Sequence, residues 1–233
     1  MAKRPVFIVS KQKLFYKEEL VEFEYFSGFA VSQKQKCIES LHQAFLKNNI
    51  NMKVLEISSK SKQKLGIELS AFNLMIETKK GQKYSVESAF QSSKVFENGG
   101  PYTDLLLQSS KIAKKDNRLK NSGRLKYFKY GNRVFDLYPK TFFYDWLYVN
   151  ALYLNKDLAK QVLEFDAFTD IEFNPNKAIN CQARSAAIFV SLYRNQILDK
   201  AIKNEKAFLN EVYISSRNEK DMLYDQMSLL NKI

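Results

Sequence analysis

KYSVESAFQSSKVFENGGPYTDLL (residues 83–106) is a largely apolar segment that carries three polar side chains in helical register. The spacing predicts a helix from an N-cap at Ser85 to about Phe96, stopped by ENGGP. Val86, Ala89, Phe90, Ser93 and Phe96 fall on its buried side, and Glu87, Gln91 and Lys94 share a neighbouring stripe at i, i+4 and i+7. A carboxylate in the first turn is favoured by the helix dipole, whereas burial raises its pKa. Taken alone, the stripe reads as a solvated face.

Working outward from this helix, residues 3–31 alternate in part and predict two strands, with a helix over about 33–47. MKVLEISS (52–59) reads as a strand, and IELSAFNLMIET (67–78) as a strand-like or irregular apolar segment. Downstream, Thr103 is a candidate cap for a second helix, and further helices are expected near 140–154 and 156–165. Residues 165–180 are polar and irregular, a strong helix begins near Cys181, and one or two more fill the C-terminus. The expected fold is mainly α (α+β), with a helical body, a small β element and an N-terminal β/α extension. Residues 1–50 form that extension and 51–233 the body, within one globular unit.

Composition narrows the chemistry. The chain has 233 residues, enough for one well-buried domain, and its 45% hydrophobic content is that of a globular protein. Lysine and arginine outnumber acids by 37 to 25, giving +12 spread along the chain. Such a field attracts polyanions, nucleic acid above all, and is equally produced by a lysine-rich solvated surface. Two cysteines, Cys37 and Cys181, are too few for a disulfide framework, so a reducing cytoplasm is expected. PVFIVS near the N-terminus is too short for a signal segment, and AAIFVSLY (186–193) is too short for a membrane span. His42 is the only histidine, which excludes two-histidine zinc sites and HExxH, and neither GxxxxGK[ST] nor GxGxxG occurs. An enzyme built on this chain works through carboxylates, lysines, hydroxyls or a bound cofactor, and the lone histidine is consistent with a site that needs no metal.

Three further segments carry candidate groups. In TDIEFNPNKAINCQARSAAIF, Asp170 and Glu172 precede a helix that Asn180 can cap, with Arg184 in its first turn. Free N–H groups beside an arginine suit a phosphate or pyrophosphate, while a capped helix with surface charges explains the same residues. Lys60 and Lys62 flank Ser61 ahead of LSAFNL, and a lysine beside an apolar site can become nucleophilic. RLKYFKYGNRVF (124–135) interleaves cations with aromatics, as a nucleic-acid contact or an amphipathic edge strand does.

The order of these segments is more telling than any one of them. LSAFNL followed by YSVESAFQSSKVF resembles the paired signature of the NADAR (YbiA-like) family, an FSNF-type segment before a (Y/W)PTxEHxFQAxK-type helix. The likeness rests on Ser70, Phe72 and Asn73, then Tyr84, Glu87, Phe90, Gln91 and Lys94. FYDWLYVNAL resembles the family's central helix, FTDIEF its acidic segment, and INCQARSAAIFVSLYR its final helix. MAKRPVFI, ENGGPYTDLL and FDAFTDIEFNPNKAINCQARSAA resemble the family's antitoxin branch, partnered with DarT-type DNA ADP-ribosyltransferases. Three departures stand out: Ser88 replaces the family's histidine, Ile171–Glu172 replaces its WG, and Trp146 does not align with its tryptophan, whose place Phe142 or Phe143 takes.

The resemblance implies an N-glycosidase that removes ADP-ribose from guanine in DNA, with ADP-ribosylated DNA as substrate and a DarT-type toxin as genetic partner. It implies Glu87 as general acid/base, Asp170 as electrostatic stabiliser or water activator, and Lys60 or Lys94 as a Schiff-base nucleophile. Ser70, Phe72, Asn73, Tyr84, Gln91, Asn180 and Arg184 are the implied substrate contacts. Two alternatives stay open: a small-molecule N-glycosidase of ribosylated metabolites, and a non-catalytic antitoxin that binds toxin or nucleic acid.

Overall fold

The computed structural model describes residues 1–214. The chain opens with β1 (Ala2–Val9) and β2 (Tyr16–Phe23), an antiparallel hairpin, and continues into α1 (Val31–Leu46). β3 (Val54–Glu56) and the short α2 (Lys64–Glu68) lead to a second hairpin of β4 (Met75–Glu77) and β5 (Lys83–Ser85). The segment 83–106 then gives α3 (Val86–Ser92), β6 (Lys94–Phe96) and a 3-10 turn over Thr103–Leu107. Next come α4 (Ser110–Lys115), α5 (Arg118–Asn121) and the hairpin β7 (Leu125–Tyr130) and β8 (Arg133–Phe135). α6 (Phe142–Leu154), α7 (Lys156–Val162), β9 (Ala167–Thr169) and α8 (Gln182–Arg194) follow. α9 (Leu198–Ala201), α10 (Glu205–Phe208) and a π turn to Ile214 end the described chain.

The main sheet has the order β2-β1-β9-β3, with β9 antiparallel to β1 and parallel to β3. Both of its faces are covered, which explains why β1 reads as a continuous apolar run. Val6 and Ile8 point to Cys37, Ile38, Leu41 and Phe45 of α1, while Phe7 points the other way, into a core built on α6 and α8. α6 is buried almost all round, as its apolar sequence requires.

The described residues are 43% helix and 19% strand in several small sheets, so the fold is mixed α+β rather than clearly mainly α. Two local differences account for this. The helix begun at Ser85 ends at Ser92, and Lys94 lies in β6 rather than on a third helical turn. Residues 165–180 contain β9, whose pairing with β1 and β3 comes from distant sequence. The 124–135 segment folds as the β7–β8 hairpin.

Candidate active site

The sheet and the helices α3, α4, α6 and α8 meet around a cleft of about 380 Å³. α3 forms one of its walls. The Ser85 side chain accepts the Ser88 N–H at 3.0 Å, so the helix starts where the sequence places its cap. Its first N–H groups are also used: Val86 donates to Leu74 O at 3.0 Å and Glu87 to Ala71 O at 2.8 Å. These bonds press the Ser70–Leu74 turn against α3, bringing Ser70 and Phe72 into the cleft beside Glu87, Phe90 and Gln91. Gln182 holds the same turn from α8, accepting from Ala71 N and donating to Ile57 O, each at 2.7 Å.

Glu87 is buried, with 6% exposure. Its Oε1 accepts from Gln91 Nε2 at 2.9 Å and lies 3.7 Å from Lys114 Nζ, whose ammonium also sits 5.0 Å above the Phe72 ring. Gln91 Oε1 has no hydrogen-bond partner among the described residues, although Gln91 lines the cleft and is only 6% exposed. It is an acceptor placed for a ligand's N–H or O–H.

The opposing wall follows β9. Asp170 lines the cleft, and its carboxyl is held well above the ordinary carboxylate range, first by burial and then by the charge of Glu56. Glu56, 2% exposed, is itself raised by burial. Glu56 accepts from Thr169 Oγ1 at 2.6 Å and Ile171 N at 2.9 Å, and His42 Nε2 lies 2.8 Å from the same threonine oxygen. Burial lowers His42 to about 4, so its ring is neutral near pH 7. Tyr144 of α6 also lines the cleft, and its hydroxyl, raised by burial, senses the charges of both Glu87 and Asp170.

The structure brings Ser70, Phe72, Glu87, Gln91, Asp170 and Asn180 together in this cleft. The other candidates lie elsewhere. Lys60 and Lys94 do not line it. Lys94 Nζ sits 4.9 Å above the Phe90 ring, where burial lowers it to about 8. Asn73 donates to Ile67 O at 2.9 Å, and the Tyr84 hydroxyl pairs with that of Tyr130 at 2.7 Å. Arg184 is turned away from any anion seat: it is buried against Asp145 at 3.2 Å and donates to Ile179 O at 2.9 Å. The N-cap of α8 is Cys181, not Asn180, with no side-chain cap bond. Lys114, Tyr144, Phe173, Ser58 and Gln182 also line the cleft and were not singled out in the sequence. No pattern in the sequence singles out Tyr144; Trp146, two residues on, packs on Phe135 at 4.9 Å.

A family model described as DarT1-associated NADAR antitoxin matches residues 2–222. The chain belongs to that family. Among curated proteins, none matches it. The match spans every cleft-lining residue of this NADAR antitoxin, from Ser58 to Gln182, and the strands and helix of residues 1–50 as well. The NADAR family is of glycosidase-type hydrolases, and the family's description associates this branch with a DarT1 toxin. No helix among the described residues is long and apolar enough to cross a membrane.

Proposed function

We propose that this NADAR antitoxin is an N-glycosidase that removes ADP-ribose from guanine bases in DNA and so reverses the toxin's modification. The observation that carries the reading is the pair Glu87 and Asp170, two buried carboxyls lining one cleft together with Tyr144. Breaking an N-glycosidic bond leaves positive charge on the ribose and a nitrogen that needs a proton. Two acids in different environments divide that work.

In this reading the burial of Asp170 favours it as the proton donor and leaves the water to Glu87, an exchange of the roles that the family resemblance implies. The raised pKa of Asp170 keeps the carboxyl protonated where free aspartate is ionised, which suits donation to the departing guanine nitrogen. Glu87, fixed by Gln91 and Lys114, offsets the developing charge and aligns a water for C1 of the ribose. As the C1–N bond breaks, its electron pair goes to the base and Asp170 supplies the proton; water adds to C1, passes its own proton to Glu87, and ADP-ribose is complete. Gln91 Oε1 accepts from a base N–H or a sugar hydroxyl, and the Phe72, Phe90 and Phe173 rings offer stacking surface.

Arg184 is committed to Asp145, so Lys114 is the cation at the cleft for the pyrophosphate. A lysine route, in which an amine displaces guanine at C1 and the ribose ring then opens to a Schiff base, is favoured at Lys94 over Lys60 because Lys94 sits on the Phe90 ring of the cleft wall, in the field of Glu87, and burial lowers it to about 8. The test compares an ADP-ribosylated guanosine oligonucleotide with free ribosylated metabolites. Faster release from the oligonucleotide is expected, and preference for the metabolites overturns the reading. Borohydride trapping reports separately on the lysine.

A further inference from the structure

We propose that α4, α5 and the turn between them form a track for the phosphate backbone of nucleic acid, leading to the lip of the cleft. The inference rests on the reading of that cleft as the site for a modified base, and adds how the rest of the polymer is held. Residues 110–121, which are α4, α5 and the turn between them, carry five lysines and arginines against one acid, Asp116, a net +4 of the chain's +12. A third of the excess charge therefore lies in this short segment.

The geometry ties this charge to the site. Ser110 Oγ donates to Phe72 O and contacts Ser85 Oγ, each at 2.7 Å, which fastens α4 to the turn and helix cap that build the cleft wall. Lys111, Lys114 and Lys115 stand at i, i+3 and i+4, neighbours on one side of α4. Lys114 lines the cleft, and Lys111 and Lys115 flank a shallow depression of about 450 Å³ with Ile112, Asn117 and Asp116, whose carboxylate is held by Arg118. Arg118 is occupied: Asp104 and Asp116 both receive its guanidinium, which fixes α5 rather than offering a charge. Lys111, Lys115 and Lys120 are exposed, and none forms an ion pair among the described residues.

Unpaired lysines on a fixed scaffold, continuous with a cleft for a base, match phosphate contacts that set position without reading sequence. A base in duplex DNA must leave the stack to reach the cleft, and backbone contacts beside the lip hold the strand while it does.

The test uses the triple variant Lys111→Ala, Lys115→Ala, Lys120→Ala, with a Lys→Arg triple as its control. Fluorescence anisotropy follows binding to an unmodified DNA oligonucleotide over a salt series. The alanine variant is expected to bind more weakly and to flatten the slope of log K against log salt by about 2–3, roughly 0.7–0.9 per phosphate contact. The arginine variant keeps the slope. KM for the ADP-ribosylated oligonucleotide is expected to rise tenfold or more, with KM for the ADP-ribosylated mononucleoside unchanged. Unchanged DNA affinity and slope overturn the proposal, as does an equal loss on both substrates or lost binding to an acidic protein partner with DNA binding intact. If the wild type cleaves neither substrate, the reading of the cleft fails while the salt series still decides the track.

Discussion

Asp170 shows how burial and a neighbouring carboxyl together set a group's chemistry. Burial raises its pKa, and the Glu56 carboxyl, itself raised, adds to the shift. For a carboxyl raised in the folded state, the stability contribution is full below the ordinary carboxylate range. It is lost as pH rises through the folded value. With a protonated Asp170 as the proposed donor, kcat/KM is expected to fall as pH climbs through its raised pKa. Glu56→Gln removes the repulsion and is expected to move that alkaline limb to lower pH, read from a pH–rate profile. An unmoved limb contradicts the role given to Asp170. The order of the segments and the family resemblance made Glu87, Gln91 and Asp170 legible in the sequence. The states and partners of these groups were not, because Glu56, Thr169 and His42 reach the loop from distant segments. Arg184 misled for the same reason: its partner, Asp145, is 39 residues away.

At the scale of elements, α1, α6 and α8 were legible because thirteen to sixteen residues of regular apolar spacing outweigh local noise. β9 has three residues and no pattern of its own; its strand state is imposed by β1 and β3. α3 was legible at its cap but not at its end, where Lys94–Phe96 pairs with β7 instead of continuing the helix. The register of α6 against α8 is set by a buried network. Asp145 accepts from Arg184 at 3.2 Å, Ser185 Oγ at 2.5 Å and the Tyr213 hydroxyl at 2.6 Å. Asp145→Ala leaves the Arg184 charge buried and unpaired, with an expected loss of about 3–5 kcal/mol in a denaturant titration. A loss under 1 kcal/mol contradicts this account of how the two helices are held.

For the whole molecule, residues 1–50 supply two of the four strands in the main sheet, including one that flanks β9. α1 covers one face of that sheet and touches the site loop through His42 and Thr169. Deleting residues 1–50 is expected to abolish a cooperative thermal transition, because it bares Ala167 and Ile171 beside Asp170. A truncated chain that melts cooperatively and keeps its activity shows instead that the N-terminal part is a separable addition. The central claim is that the cleft breaks an N-glycosidic bond with its own carboxyls. Single-turnover release of ADP-ribose from an ADP-ribosylated guanine oligonucleotide tests it most directly, with wild type and Glu87→Gln side by side. The expected result is release by the wild type and a loss of about 10²–10⁴-fold in the variant at unchanged melting temperature. Equal rates for the two proteins, or no release by a folded wild type, contradict it.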